Sequence, residues 1–409
     1  MIKQVFDSGF WIAFIVMLFS CGPTEHPSLG DQQVDVFINE KVNFDPDSWQ
    51  SPIDTNENDV FRLVSGRLLL KKVSLPVYQR PTAVTAKIRL ESAGDRWDKS
   101  GSCFVIPKSS IINFISLANE AHEWPASNSG TSKNGVAIDS LYQPVIELMR
   151  FMTPFGVGAY SDSMSTRKPV YIPHWEQEVS WEQDVSVYIS ELQGEVWLGV
   201  WIDSWTKEGY KVSLNLEFDE SENGYAKIKP LNTLSLVNTV SYFSRQDLFD
   251  QFALQDLSVS FNLPSDISNP KLLLTVTGHG GHSGGDEFTK QENLIYLDNK
   301  LVHRFIPWRD DCASFRRFNP SSGVWLIKDT ARYLDWEARQ YREKVIEERL
   351  ASSDLSRSNW CPGSMVSPLE IPVSSLTAGD HQIRISVPGA QPAAENEYNH
   401  WLVSTVLVW

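Results

Sequence analysis

Apolar residues recur at every second position through much of the chain. Val84, Ala86, Ile88 and Leu90 alternate with Thr85, Lys87 and Arg89, and Tyr210, Val212, Leu214, Leu216 and Phe218 alternate with polar residues in the same way. A period of two puts one face of a strand in a core and the other in solvent. Segment 196–202 is a near-continuous apolar run with two tryptophans, which predicts a central strand. Between it and Tyr210, Asp203-Ser204-Trp205-Thr206-Lys207-Glu208-Gly209 reads as a hairpin connection, with glycine supplying the turn. Strand-like segments also begin near Val60, Leu69 and Phe104, whereas 138–149 suits a short helix or a strand equally. An acidic, polar stretch at 219–224 ends in Gly224 and reads as a linker.

Beyond that linker the β pattern restarts at 257–263, 272–276, 294–297, 301–305, 383–387 and 402–408, with Asp298-Asn299-Lys300 as a hairpin turn. Segment 329–351 is charged, and Leu334, Ala338, Tyr341 and Val345 fall on one helical face, so it predicts a helical insertion. Many short strands in two blocks, with a helix only as an insertion, predict an all-β protein of two antiparallel sandwiches. The divisions expected are a signal segment at 1–21, a flexible tether at 22–43, and domains at 44–221 and 225–409. Residues 122–134 are rich in Ser, Gly and Asn and read as a surface-loop insertion.

Composition narrows the partners. The chain has 409 residues, 42% hydrophobic, with 15 Trp and 20 Phe, enough for large cores. A net charge of -15 argues against nucleic acid or an anionic membrane surface as a partner and is compatible with a neutral carbohydrate. Aromatic faces pack against the apolar faces of sugar rings. At the N-terminus, Lys3 precedes an apolar run at 10–19 that is too short to span a bilayer. Leu18-Phe19-Ser20-Cys21-Gly22 looks like a bacterial lipobox with Cys21 as the lipidated residue. An exported outer-membrane or cell-surface lipoprotein is expected, attached to the membrane only through lipid, or otherwise a periplasmic or secreted protein.

One loop carries candidate chemistry. Gly94-Asp95-Arg96-Trp97-Asp98-Lys99-Ser100-Gly101 connects the strand at 84–90 to an apolar run from Cys103. Catalytic groups held by a rigid scaffold are usually found on such loops, although spacing alone favours a simple Asx-type turn bond for Asp98. His279-Gly280-Gly281-His282 is a tempting metal signal, but it lacks an acid or Cys at ligand spacing, and no metal is expected.

A series of short motifs gives these residues a context. In chain order they are Trp97-Asp98-Lys99, Arg150-Phe151-Met152-Thr153-Pro154-Phe155, Ile202-Asp203-Ser204-Trp205, Thr277-Gly278-His279-Gly280 and Asp286-Glu287-Phe288. Cys312, Asn319-Pro320 and Arg357-Ser358-Asn359-Trp360-Cys361-Pro362-Gly363 complete the series. The series resembles the bacterial peptide-N-glycosidase F family, from about residue 80 to the C-terminus. That resemblance implies two side-by-side jelly rolls, no cofactor, and a monomer acting on N-glycosylated proteins or glycopeptides. It matches Asp98 to the principal catalytic acid, Glu287 to an essential Glu of the second domain, and Asp203 to a third acid that is usually Glu. It also implies substrate contacts for Trp97, Lys99 (where the family has Arg), Trp205 and Arg357, while His279 is expected to hydrogen-bond within the cleft. A Cys312–Cys361 disulfide is implied too. Two further family disulfides are missing, and Gly285 and Thr289 stand where one would bracket Glu287. Cys103 is left as a buried thiol.

The implied reaction is hydrolysis of the amide joining Asn to N-acetylglucosamine, which leaves Asp. Amides are poor electrophiles, so a carboxylate must activate water and the oxyanion must be stabilised. Alternatives are an endoglycosidase, since paired carboxylates also cleave glycosidic bonds, and a lipid-anchored glycan-binding protein without turnover. A copper monooxygenase is set aside because the chain lacks a His/Met ligand series.

Overall fold

The computed structural model describes residues 28–48, 59–125, 134–156, 174–220, 231–243, 250–280, 284–320, 322, 324–394 and 397–409. Cys21, His282 and most of the expected linker lie outside the described residues. The strands of the first half are β1 (Gln32–Val42), β2 (Phe61–Leu63), β3 (Leu68–Leu75), β4 (Thr82–Ser92), β5 (Ser100–Val105), β6 (Ile146–Met152), β7 (Val179–Asp184), β8 (Gly194–Ile202) and β9 (Tyr210–Glu220). Those of the second half are β10 (Thr233–Asn238), β11 (Leu257–Leu263), β12 (Lys271–His279), β13 (Asn293–Leu297), β14 (Lys300–Phe305), β15 (Val324–Asp335), β16 (Gln340–Ala351), β17 (Met365–Val366), β18 (Leu369–Pro372), β19 (Gly379–Ser386) and β20 (His400–Val408).

They form two β-sandwiches. In the first, a sheet of order β1-β9-β4-β7 faces one of order β17-β6-β5-β8-β3-β2. The alternation read from sequence lands where expected. β4 pairs with β9 in unbroken register from Thr82↔Glu220 to Ser92↔Tyr210, and Val84, Ala86, Ile88 and Leu90 meet Val212, Leu214, Leu216 and Phe218 in one core. Each of the larger side chains (Val, Leu, Ile, Phe) contributes about 1.5–3 kcal/mol when fully buried. In the second sandwich, β10-β20-β12-β18 faces β11-β19-β13-β14. The β13–β14 turn is the expected one, with φ of 50° at Asp298 and 64° at Asn299, as a two-residue hairpin turn requires.

Two expectations need correction, and one open segment is settled. The tether assigned to 22–43 is not loose through its second half, because Gln32–Val42 forms β1 and pairs along β9. Register shifts between Asp35 and Phe37 and between Phe37 and Glu40 break the period of two and hide the strand. The undecided segment 138–149 ends in a strand, β6. The helical insertion at 329–351 is a hairpin: β15 and β16 pair through twelve residues each, from Val324↔Ala351 to Asp335↔Gln340. Asp335 accepts hydrogen bonds from the amides of Glu337 and Ala338, and Arg339 takes a φ of 53°, which reverses the chain. Leu334 and Tyr341, which share a face of the expected helix, are instead opposed across the strands.

The two sandwiches are joined sheet to sheet. β12 and β20 are buried on both faces, which is why 272–276 and 402–408 read as apolar runs. Between them and β6 lies an ion pair with only 1% and 2% of its side chains exposed, Arg150 Nη2 to Glu147 Oε2 at 2.7 Å. Arg150 also donates to the carbonyl of Leu402 (2.7 Å) and to Thr277 Oγ1 (3.3 Å), and Ser404 Oγ donates to Glu147 (2.7 Å). β17, from the second half of the chain, extends the first domain's sheet beside β6.

Removing one partner of a buried, hydrogen-bonded pair strands the other charge. Glu147→Ala is expected to lower stability by about 3–5 kcal/mol, read as a fall in the denaturant midpoint. A loss of less than about 1 kcal/mol would show that the pair does not lock the two sheets together.

Candidate functional site

Four loops at one end of the interface build the site. The first connects β4 to β5 and carries Asp98. Its Asx-type bond is made by Asp95, not Asp98: Asp95 is fully buried, and its Oδ1 accepts the Trp97 amide at 3.1 Å. Asp95 Oδ2 accepts Ser204 Oγ at 2.9 Å, which ties this loop to the next one. Thr153 Oγ1 accepts the Lys99 amide (2.7 Å), and the Thr153 amide donates back to the Lys99 carbonyl (2.8 Å). Tyr210 Oη donates to the Trp97 carbonyl at 2.6 Å. The backbone on both sides of Asp98 is therefore fixed.

The second loop connects β8 to β9. Gly209 takes a φ of 60°, and a Cβ there would sit 2.1 Å from the Val42 carbonyl oxygen, so only glycine allows the approach. Asp203, in this loop, meets Arg67 Nη1 at 3.2 Å and accepts Trp205 Nε1–H at 3.0 Å. The Arg67 guanidinium also lies 4.4 Å from the centre of the Trp205 ring. Arg67 follows three residues in the left-handed region, Val64, Ser65 and Gly66, at φ of 52°, 57° and 90°. For a β-branched residue that conformation stores on the order of 1–3 kcal/mol, and here the turn delivers an arginine to Asp203.

The third loop follows β12 and carries Glu287. Its amide donates to the Gly280 carbonyl (3.2 Å), and its own carbonyl accepts the Ser358 amide (2.8 Å). Asp286 is fully buried and accepts Trp401 Nε1–H at 2.9 Å and the Gln391 amide at 3.1 Å. Ser358 Oγ donates to the Asp286 carbonyl at 2.6 Å. These bonds hold the loop that lacks a bracketing cystine.

The fourth loop carries Arg357, which is 2% exposed. Its amide and carbonyl pair with Arg309, and the disulfide Cys312–Cys361 closes the segment behind it. Arg357 Nη1 donates to the Ser352 carbonyl at 3.0 Å. The other side of the guanidinium meets both acids, Glu287 Oε1 at 2.9 Å from Nε and Asp98 Oδ2 at 3.6 Å from Nη2. These are ionic contacts rather than aligned hydrogen bonds. Phe288 and Trp360 flank the guanidinium, with ring centres at 4.9 and 4.8 Å.

Burial sets the electrostatics. It raises Asp98 above the usual carboxylate range, while Arg357 and then Lys99 pull it back. Glu287 is pushed up to about 7 by burial; Arg357 opposes the rise and the charge of Asp98 adds to it. Asp98 has two supporting cations and Glu287 one, so the proton that the pair retains rests on Glu287. Asp203 rises to about 6, again through burial, against Lys99 and Arg67.

Asp98, Glu287 and Arg357 thus meet in one ion cluster. Asp203 stands apart with Arg67 and Trp205, linked to the cluster through the charge of Lys99. Trp97 and Trp205 are 49% and 38% exposed and present aromatic faces. His279 is a supporting residue: 6% exposed, it stacks between Trp360 and His400 and bonds Thr277 Oγ1 at 2.8 Å, and burial holds it neutral. Among the described residues, no three His, Cys, Asp or Glu side chains group as metal ligands. Cys103 is a buried free thiol. Sequence reasoning missed Arg67, Asp95, Thr153 and Tyr210 as site-building residues. Only Asp95 left a trace, an Asp two positions before Trp97 in a glycine-bounded loop.

Comparison with known proteins supplies the family. Residues 33–218 match the model of the N-terminal domain of peptide-N-glycosidase F, and residues 248–408 match its C-terminal domain. No curated protein matches in sequence. Among solved structures, PNGF-II is 34% identical with a TM-score of 0.77, over 92% of this chain and 65% of that one. The chain therefore spans about two thirds of the length of PNGF-II. A recombinant peptide:N-glycanase F (PNGase F) is 14% identical with a TM-score of 0.56, covering 93% of this chain and 95% of that one. PNGase F from Flavobacterium meningosepticum, titled a glycosylasparaginase, is 13% identical with a TM-score of 0.55 over the same shares. At that identity these last two show the fold alone.

The raised Asp203 has a consequence for stability. Its folded value of about 6 lies above its ordinary 3.8, so the folded state holds this proton more tightly. The associated stability is fully present below 3.8 and is lost as pH rises through about 6. Melting temperatures across that window should show native protein losing ground to Asp203→Asn, with a constant gap at higher pH. A constant gap throughout would mean that Asp203 is not raised.

Proposed function

Because the chain belongs to the peptide-N-glycosidase F family, we propose that it is a peptide-N-glycosidase, hydrolysing the amide between Asn and the first N-acetylglucosamine of an N-linked glycan. The observation that carries this reading is Arg357 held between Asp98 of one sandwich and Glu287 of the other. An amide needs a base to activate water and an acid to protonate the departing nitrogen. Asp98, with two cations beside it, is the acid that stays ionised, and it takes the proton of the attacking water. Glu287, raised to about 7, enters protonated and gives its proton to the amide nitrogen. Lys99 lies close enough to Asp98 and Asp203 to lower both, so it is the cation placed to stabilise the developing oxyanion. The C–N bond breaks, Asn becomes Asp, and the glycan leaves as a glycosylamine that water converts to the free sugar and ammonia.

Trp97 and Trp205 offer ring faces for the core sugars. Asp203 reaches substrate through a hydrogen bond or a bridging water. The exported, lipid-anchored location rests on the motif around Cys21 and is proposed on that sequence alone.

Incubation with a glycopeptide followed by mass spectrometry tests the reaction. Free glycan and Asn-to-Asp conversion are expected, and Asp98→Asn should reduce the rate by about 10²–10⁴-fold. Retention of one N-acetylglucosamine on the peptide would make the enzyme an endoglycosidase, and binding without turnover would make it a lectin.

A further inference from the structure

The hairpin β15–β16 has no role in the reaction described above, yet it is rooted in the loop that carries Arg357. At its base Ser322 Oγ and Ser352 Oγ are 3.0 Å apart, and the Ser353 amide donates to Ser322 Oγ at 2.9 Å. The carbonyl of Ser352 in turn accepts Arg357 Nη1. One guanidinium therefore separates the hairpin's root from both acids. Among the described residues, β15 pairs only with β16 and β16 only with β15, so both outer edges present unpaired backbone groups. Twelve residues per strand give an arm about 40 Å long. Three of its apolar side chains are turned to solvent: Trp336 near the tip is 81% exposed, Tyr341 75% and Val345 73%. Tyr341 stands opposite Leu334 and Val345 opposite Thr330 on one face, with the Arg332–Glu343 ion pair between them. Segment 324–351 carries six basic and six acidic residues, a neutral arm on a protein of charge -15.

We propose that this hairpin is a docking arm for the polypeptide that carries the glycan, which binds as an extended strand added to one open edge of β15–β16. The inference rests on the peptide-N-glycosidase reading of the site, and it names the part of the substrate which that reading leaves unplaced. The chemistry fits the occupant. An enzyme that releases glycans from Asn in many sequence contexts needs contacts that tolerate any side chain, and main-chain hydrogen bonds at a strand edge provide them. A neutral arm accepts acidic and basic peptides alike, where the acidic remainder of the surface would repel the former. Exposed Trp336, Tyr341 and Val345 add non-directional burial to the strand pairing.

The test compares two glycopeptides bearing the same glycan, one of about three residues and one of about fifteen, long enough to lie along a strand. Native protein is compared with a variant in which 328–347 is replaced by Asn-Gly, a two-residue turn that keeps the root at Ser352, and with Tyr341→Ser/Val345→Ser. Native protein should favour the long substrate by about tenfold in kcat/KM, expressed in KM. The shortened variant should treat both substrates alike, with kcat on the short one unchanged. The same preference in native and shortened proteins would overturn the proposal. If native protein turns over neither substrate, the proposed function fails. Anisotropy of a labelled, unglycosylated peptide of the longer length then decides the arm separately. Binding that disappears on shortening supports it; equal binding, or none to native protein, overturns it. Concentration-dependent dimerisation that disappears on shortening would make the occupant a second copy and also overturn it.

Discussion

One buried guanidinium, Arg357, is shared by carboxylates from two sandwiches. Without the arginine, two anions in a shielded cleft would repel. One cation cannot fully neutralise both acids. The residual mismatch retains a proton on the pair near neutral pH, as the proposed acid and base roles require. Everything else in the fold bears on whether those three groups stay in register.

The supports act at two distances. Close in, Asp95 joins the Asp98 loop to the Asp203 loop, Asp286 and Ser358 brace Glu287, and Trp360 stacks on both Arg357 and His279. Farther out, the Arg150–Glu147 pair fixes β6 against β12 and β20, and so sets the spacing of the domains that deliver the acids. Hydrogen bonds from Ser358 and Trp401 to Asp286 hold the loop of Glu287. A strained turn brings Arg67 to Asp203.

Much of this was legible in the chain. Alternation located β4, β9 and β11, and apolar runs marked β8, β12 and β20, because burial on one face or two leaves a different periodicity. The hairpin at 324–351 was misread because charged residues with apolar positions three and four apart also suit a helix; the turn chemistry of Asp335 and Arg339 decides otherwise. β1 was hidden by its own bulges. At the site, motif resemblance found the acids and Arg357, but nothing local to Arg67 or Arg150 signals that a distant carboxylate or carbonyl awaits it. Long-range pairing leaves no mark at the position itself, whereas a strand or a turn writes its requirement into neighbouring residues.

The claim that Asp98 and Glu287 share one cation and one proton is tested most directly by following the Glu287 carboxyl with carbon-13 NMR across pH, in native protein and in Asp98→Asn. If the acids face a common guanidinium, removing the charge of Asp98 leaves Arg357 to Glu287 alone, and its titration should move from about 7 to lower pH. An unchanged titration would mean that the two carboxyl groups do not sense each other, and the shared site would not exist.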